Sequence, residues 1–404
     1  MVAGYSEAGE LLVLGSGHRA SQGIKRGYVT DMSAATHALR DAVERAERMA
    51  GVNVDSVWIG ASGAGLASSR VGREIAINGA RISDQDIEEL LFAANDSIQP
   101  DGRIVLHAEP AHYTLDGAHG IANPRGLHAE TLGVDIHVML ADGAPIRNLI
   151  EAVENAHLKV DGVIASPIAS GYSCLSIEER ELGVSLVEIG AEVTNLALYR
   201  GGNLVGLTTL AIGSGAITDA IASKLGIKRF QAERLKCVHG SALASPTDHR
   251  EMIPIGAAGE EVSAPISRYA DAKNRIPRAE LVSIITAELG RQMDDISRNL
   301  RSMDMAAAKG QVVVMTGGGA QLAGLADYAQ SALGRAVRIG KPLEIKGLAE
   351  AHAVPGFATL AGLVLYAAAD PVDIRALGQK FQHKTVDTWF GIVLRMIQSL
   401  KEFF

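Results

Sequence analysis

Two short glycine-bearing turns hold the residue types that could take a phosphate. "EIGAEVT" spans 188–194 and "TGGGAQL" spans 316–322. Each follows an apolar run of strand length. Glycine there lets backbone N–H groups approach an anion closely, because it has no side chain and tolerates positive φ. One such turn alone is as readily a tight strand–helix connection. Two of them, joined by the polar stretch "QAERLK" at 231–236, form a constellation that points to a phosphate-bearing ligand. Other chemistry is poorly provided for. His107, His112, His119, His128 and His137 are separated by five, seven, nine and nine residues, with no cysteines among them. Those spacings fit no compact ligand set, and no metal site is expected. Cys174 and Cys237 stand far apart and read as reduced thiols.

The elements that would position these turns repeat. Residues 183–226 read as a strand, a tight turn, a second strand, a hairpin at Gly201-Gly202, a third strand and a helix "AITDAIASKLG". Val184 and Leu186 alternate before the first turn, and Leu196 and Leu198 after it. The N-terminus follows the same plan without the first member: strand "MVAGY", turn, strand "LLVLGSGH", then a helix from Asp31 to Ala50. Asp31 or Ser33 would cap that helix, Leu39, Val43 and Met49 would be its apolar stripe, and Gly51 would end it. A unit present twice suggests internal duplication. Between the copies, residues 63–140 have a different texture, with shorter strands. A charged insert runs from 223 to 298 and ends in a helix beginning near "PRAEL".

At 404 residues, 47% hydrophobic and 21% charged, with 44 glycines and few aromatics, the chain is expected to be a multi-domain α/β protein. Its net charge of −8 argues against nucleic acid as a partner. No secretory leader opens the chain. The uncharged run 353–369 begins with Pro355 and Gly356 and reads as a buried helix.

Taken with the segments "SQGIKRGYVTD", "AVERAERMAG", "DIHVMLADGAPIRNL", "ELGVSLVEIGAEVTNLALY", "AERLKCVHGSAL" and "VVVMTGGGAQLAGL", the chain resembles the bacterial FtsA family of the actin/DnaK-type ATPase superfamily. The likeness runs along essentially the whole sequence. It implies an actin-like duplicated ATPase fold with two inserted subdomains and a C-terminal amphipathic helix. In family terms, subdomain 1A would comprise 1–62, 141–172 and 346–368, with 1C at 63–140. Subdomain 2A would comprise 173–222 and 299–345, with 2B at 223–298, a linker at 369–388 and the terminal helix at 389–404.

The resemblance also implies a role. Such a protein binds ATP with Mg²⁺, polymerises with itself, receives the C-terminal peptide of FtsZ, recruits later division proteins and sits on the cytoplasmic face of the plasma membrane at the division site. Gly190 and Thr194 would lie at the second phosphate loop. Glu233 and Lys236 would flank ribose and adenine, and Gly317, Gly318 and Gly319 would form the adenosine-side turn. Arg278 would face the carboxylates of the FtsZ peptide. An alternative within the same fold is a sugar-kinase-like or chaperone-like ATPase.

Three departures from the family pattern bear on activity. Its first phosphate loop would precede residue 1. Glu192 stands where the second loop has a glycine, and a like-charge pair about 5 Å apart costs on the order of 3 kcal/mol at an effective dielectric near 20. Ser166 stands before Pro167 where related filament proteins often carry a water-activating carboxylate. Catalytic residues are therefore not expected, and any ATPase activity would be very slow.

The chain closes with "DTWFGIVLRMIQSLKEFF". On a helical wheel, Trp389, Phe390, Ile392, Val393, Leu394, Met396, Ile397, Leu400, Phe403 and Phe404 fill one arc of about 200°, opposite Arg395, Gln398, Ser399, Lys401 and Glu402. A helix of this kind lies in a membrane interface and does not span it. Arg395 and Lys401 would each add about 1 kcal/mol on anionic lipid.

Overall fold

The computed structural model describes residues 1–63, 65–121, 123–255, 275–303, 311–369, 371 and 373–375. They fall into two compact units. One comprises 1–67 and 141–370, the other 68–140 with the described residues from 371 onward. The expected membrane helix 389–404 and most of the tether before it lie outside the described residues. No described helix is long and apolar enough to cross a membrane.

In the first unit, five strands run in the order Val337–Ile339, Val312–Thr316, Val184–Ile189, Thr194–Arg200, Asn203–Leu210. The first three are mutually parallel and the last two antiparallel to their neighbours. The hairpin falls at Gly201 (φ 58°) and Gly202 (φ 82°), a two-residue turn with both central φ values positive. Alternation along Val184–Ile189 predicts one apolar and one polar face, but all six residues are buried. Both faces are covered. Val187 and Ile189 join a core with Leu281, Ile285, Leu289, Met293, Ile296 and Leu300 of the helix Arg278–Ser302. On the other face, Glu188 meets Ser170 of the helix Ser166–Cys174. That helix is crossed by Ala358–Ala369, the helix expected after Pro355; a side chain at Gly362 would collide with the Ala169 carbonyl.

The other copy of the duplicated plan holds two separate strand pairs. Val2–Tyr5 pairs antiparallel with Leu11–Gly15, and Ser56–Ala61 pairs parallel with Lys159–Ala165. This is the pairing of the five strands without the central one. Between the pairs lies a cavity of about 480 Å³, walled by Met1 to Tyr5, Ser56 to Ile59, Leu39, Val43, Leu360 and Leu363. The helix Met32–Ala50 behind it is capped by Asp31, which accepts from the Ala34 N–H, and ends at Gly51 in the left-handed conformation. Its buried residues are Ala35, Ala38 and Ala46, while Met49 is 60% exposed. Met49 therefore does not belong to the expected stripe. The helix lies too close to the backbone for a large side chain there: a Cβ at Gly15 or Gly17 would collide with the Ala46 or Ala42 carbonyl.

In the second unit, the strands Ala67–Ala76, Thr131–Ala141, Ile104–Leu115 and Ala118–Ile121 are neighbours in that order. The helix Asp84–Asp96, opened by a Ser83/Asp86 capping box, buries Leu90, Leu91 and Ala94 against Leu132, Val134, Ile136 and Ala108. Three of these strands have 10 to 12 residues and are not short as expected. Polar residues such as Asp135 and His137 on the face away from the helix break the apolar pattern, so each strand reads as fragments. Two of the five histidines are interior. Burial, helped by Arg375, lowers the pKa of His107 to about 3, and burial with Arg70 lowers that of His137 to about 4.

Candidate functional site

The turn after the central strand is built by its own backbone. Gly190 donates its N–H to the Val193 carbonyl at 2.9 Å. Gly190 and Ala191 in turn accept from Ser214 and Gly215, the start of the helix Gly215–Leu225, at 2.9 and 2.6 Å. A Cβ at Gly213 or Gly215 would lie 2.6 Å from a carbonyl of this turn, so only glycine permits the contact. The Thr194 hydroxyl donates to the Ile212 carbonyl at 2.8 Å. Gly190 and Thr194, expected at the second phosphate loop, both lie at this turn. The Gly190 N–H and the Thr194 hydroxyl are spent on closing the loop, because a buried polar group must be paired within the protein.

The second glycine turn stacks on the same strand end. Gly317 has φ 86°, donates its N–H to the Pro355 carbonyl, and a Cβ there would lie 2.5 Å from the Ile189 carbonyl. A side chain at Gly319 would collide with Ile189, whereas one at Gly318 would meet nothing within 4 Å. Gly318 is thus the open position of the three.

Glu233 and Lys236 lie one turn apart on the helix Arg229–His239. Lys236 is buried, and its ammonium sits 2.8 Å from Glu233 Oε2, 2.8 Å from Thr218 Oγ1 and 3.2 Å from the Ser214 carbonyl. Its three donors are matched, so it braces the helix that receives the phosphate-type turn. Glu233 also accepts from the Thr218 hydroxyl. Partial burial raises its pKa, but the bonds from Lys236 and Thr218 outweigh that and hold it below the usual carboxylate value. Its carboxylate is half exposed, the one of the pair placed to meet a ligand.

Glu192 accepts from the backbone N–H of Arg26 at 2.9 Å. Arg229, which the motif reading passed over, is drawn toward both Glu192 and Glu233; its Nε sits 2.7 Å from Asp219, and that bond above all raises its pKa. The negative charge of Glu192 is thus tempered, without being cancelled, by a fixed N–H dipole and by the nearby Arg229. Its only sequence signal is a position two residues before "QAERLK".

A second feature invisible in the motif is the fate of Glu188. Its buried carboxylate accepts from Ser170 Oγ at 3.0 Å, from Thr359 Oγ1 and from Asn195 Nδ2 at 2.9 Å. Asn195 also donates to Ser62 Oγ and accepts from Thr209. Ser166 begins the helix Ser166–Cys174 and is buried.

Arg278 opens the helix Arg278–Ser302. Its guanidinium lies 2.7 Å from the buried Asp248 carboxylate and 3.6 Å from Glu251, and its Nε donates to the His239 carbonyl at 3.0 Å. A carboxylate partner would have to compete with Asp248, which is 1% exposed. The arginine is a clasp at the start of a long helix, because an interior aspartate demands a permanent cation.

Comparison with known proteins agrees with this architecture. The family model described as "Cell division protein FtsA" matches residues 185–362, and "SHS2 domain inserted in FTSA" matches 63–140. The chain is 34% identical over 392 residues to the cell division protein FtsA of Agrobacterium fabrum, covering 97% of this chain and 87% of that protein. It is 30% identical over 382 residues to the FtsA of Escherichia coli, covering 94% and 90%. Among solved structures, the PilM-PilN type IV pilus biogenesis complex is similar with a TM-score of 0.62 at 18% identity, over 90% of this chain and 93% of that one. That likeness bears on the fold, the duplicated α/β architecture of actin-like ATPases.

Proposed function

The chain belongs to the FtsA cell division protein family, and on that premise we propose that it is a non-enzymatic adaptor that polymerises, binds FtsZ and ties the division ring to the membrane. The observation that carries the non-enzymatic part is the fate of two positions, one on the central strand and one on the helix that packs on it. The helix opposite begins with Ser166, whose hydroxyl is a poor base, and the Glu188 carboxylate is consumed by Ser170, Thr359 and Asn195. A general base must be free to take a proton from water within hydrogen-bond reach. Neither group is.

A nucleotide would meet the two glycine turns unequally. Gly318 is open to an approaching group, and Glu233 offers a carboxylate that suits ribose hydroxyls. On the phosphate side the Gly190 N–H and Thr194 hydroxyl are committed, and Glu192 adds negative charge. Gly318 and Glu233 would hold the adenosine side of Mg-ATP, which would supply the phosphate charge and its cation when bound.

Membrane attachment rests on the apolar arc of 389–404. One such helix binds modestly, while a filament presenting many would bind by avidity. FtsZ recognition rests on family membership and on the 223–298 insert, in which Arg278 pairs with Asp248.

Two measurements test the reading. Liposomes rich in anionic lipid should pellet the protein, and deletion of 389–404 or the double change Trp389→Glu, Leu394→Glu should abolish that, with self-pelleting controlled by omitting lipid. Phosphate release from ATP should stay at background. Turnover that disappears in Glu188→Gln would make the protein an enzyme and overturn the proposal.

A further inference from the structure

We propose that the sheet of the second unit carries a divalent-metal site made by His112, His119 and Asp135, with Zn²⁺ the best-matched ion. Three strands deliver the three groups. His112 lies on Ile104–Leu115, His119 on Ala118–Ile121 and Asp135 on Thr131–Ala141. Their ligand atoms all lie within 4.8 Å of one another. His112 Nε2 is 2.8 Å from Asp135 Oδ2, and the His119 ring stands edge-on to that of His112 with centroids 5.9 Å apart.

Sheet pairing, not spacing along the chain, sets the distances within this cluster. A tight turn at Asp116 (φ 49°) and Gly117 (φ 79°) folds His119 back beside His112, and sheet pairing brings Asp135 to them. The turn is itself fastened. Asp116 Oδ1 accepts from the N–H groups of Glu130 and Thr131 at 2.9 and 2.8 Å, at the head of the strand that bears Asp135. Gly72, on the strand Ala67–Ala76, keeps the approach to Asp135 uncrowded: a Cβ there would stand 3.1 Å from Oδ1.

The donor set has the chemistry of zinc. Two neutral imidazoles and one carboxylate suit a borderline divalent cation, and Zn–N and Zn–O bonds of about 2.0–2.2 Å put tetrahedral ligand atoms about 3.3 Å apart. The separations present, from 2.8 Å to at most 4.8 Å, bracket that value. Three protein ligands leave a fourth position for water or for a side chain from another molecule. The simpler account, a His112–Asp135 cross-strand ion pair, gives His119 no part, and this separates the two.

The test uses the full chain, treated with chelator and then titrated with ZnCl₂ against a chromophoric competitor. The expected result is one equivalent of zinc, with affinity falling more than about tenfold in His119→Ala and again in Asp135→Asn, since even groups outside the ligand shell contribute about 10–100-fold. His119 is exposed, so His119→Ala keeps the fold; matching circular dichroism and thermal midpoints without zinc would confirm it. X-ray absorption at the zinc edge should show two imidazoles per ion. No zinc uptake, or uptake unchanged in His119→Ala, would overturn the proposal.

Discussion

The carboxylate of Glu192 accepts a hydrogen bond from the backbone N–H of Arg26 at 2.9 Å, joining loops 166 residues apart in sequence. The glutamate that breaks the family's glycine pattern is therefore a tie as well as a charge. Those two effects separate in substitution. Glu192→Gln keeps an acceptor for Arg26 and removes the charge, so Mg-ATP should bind roughly tenfold more tightly than to the parent chain. Glu192→Gly removes both and should gain less. Isothermal calorimetry with and without Mg²⁺ checks this; weaker Mg-ATP binding to Glu192→Gln would mean the carboxylate helps to hold the cation.

Arg278 should matter first to stability. Arg278→Ala strands the buried Asp248 carboxylate, which costs on the order of 3 kcal/mol when a buried pair is broken. Arg278→Ala with Asp248→Asn should recover part of that loss. Urea unfolding of the single and double variants measures the coupling. Peptide anisotropy in parallel would show whether the FtsZ peptide follows the fold or the guanidinium itself; an unchanged urea midpoint in Arg278→Ala would dismiss the clasp.

Acid should weaken the second unit through His107. Burial, with Arg375 nearby, lowers its folded pKa from 6.5 to about 3. Between those values the unfolded chain takes up a proton that the folded one refuses. Stability is thus fully present above pH 6.5 and falls as pH drops toward 3, by at most about 1.4 kcal/mol per pH unit from this group. His107→Leu should flatten that slope in urea midpoints taken at pH 7.5, 5.5 and 4.5. A slope identical to that of the parent would rule out His107 as its source.

The cavity beside Trp58 should accept a strand. Its walls include two strands that each have one partner, Val2–Tyr5 and Ser56–Ala61, in the pairing that flanks Val184–Ile189 in the other copy. A copy of residues 184–193 joined ahead of Met1 should fill it. Burial of its apolar side chains should raise Tm by several degrees and shift Trp58 emission to the blue. A version with proline in the strand, which cannot donate to a ladder, should do neither. Equal gains from both versions would mean that the filling is hydrophobic without strand pairing.

Local residue identity was enough for much of this. Asp31 and Gly51 bound the first helix because capping and left-handed glycine are settled within a few residues. Gly201-Gly202 named its hairpin, the duplicated strand–turn–strand–helix order was legible from period and punctuation, and the segment wording pointed to the family. The sequence also ordered the glycine turns that meet at Ile189. What it could not give was the use to which each polar atom is put. Thr194, Lys236 and Arg278 have the types of ligand-binding residues, yet their donors close on Ile212, on Ser214, Thr218 and Glu233, and on Asp248 and His239. Met49 fits a helical stripe and is exposed, because the helix packs through alanines against glycines. His112, His119 and Asp135 look unrelated along the chain and converge across three strands. Hydrogen bonds of about 3 Å are satisfied by whichever group the fold brings within reach, and for residues far apart in sequence only the folded chain sets that distance.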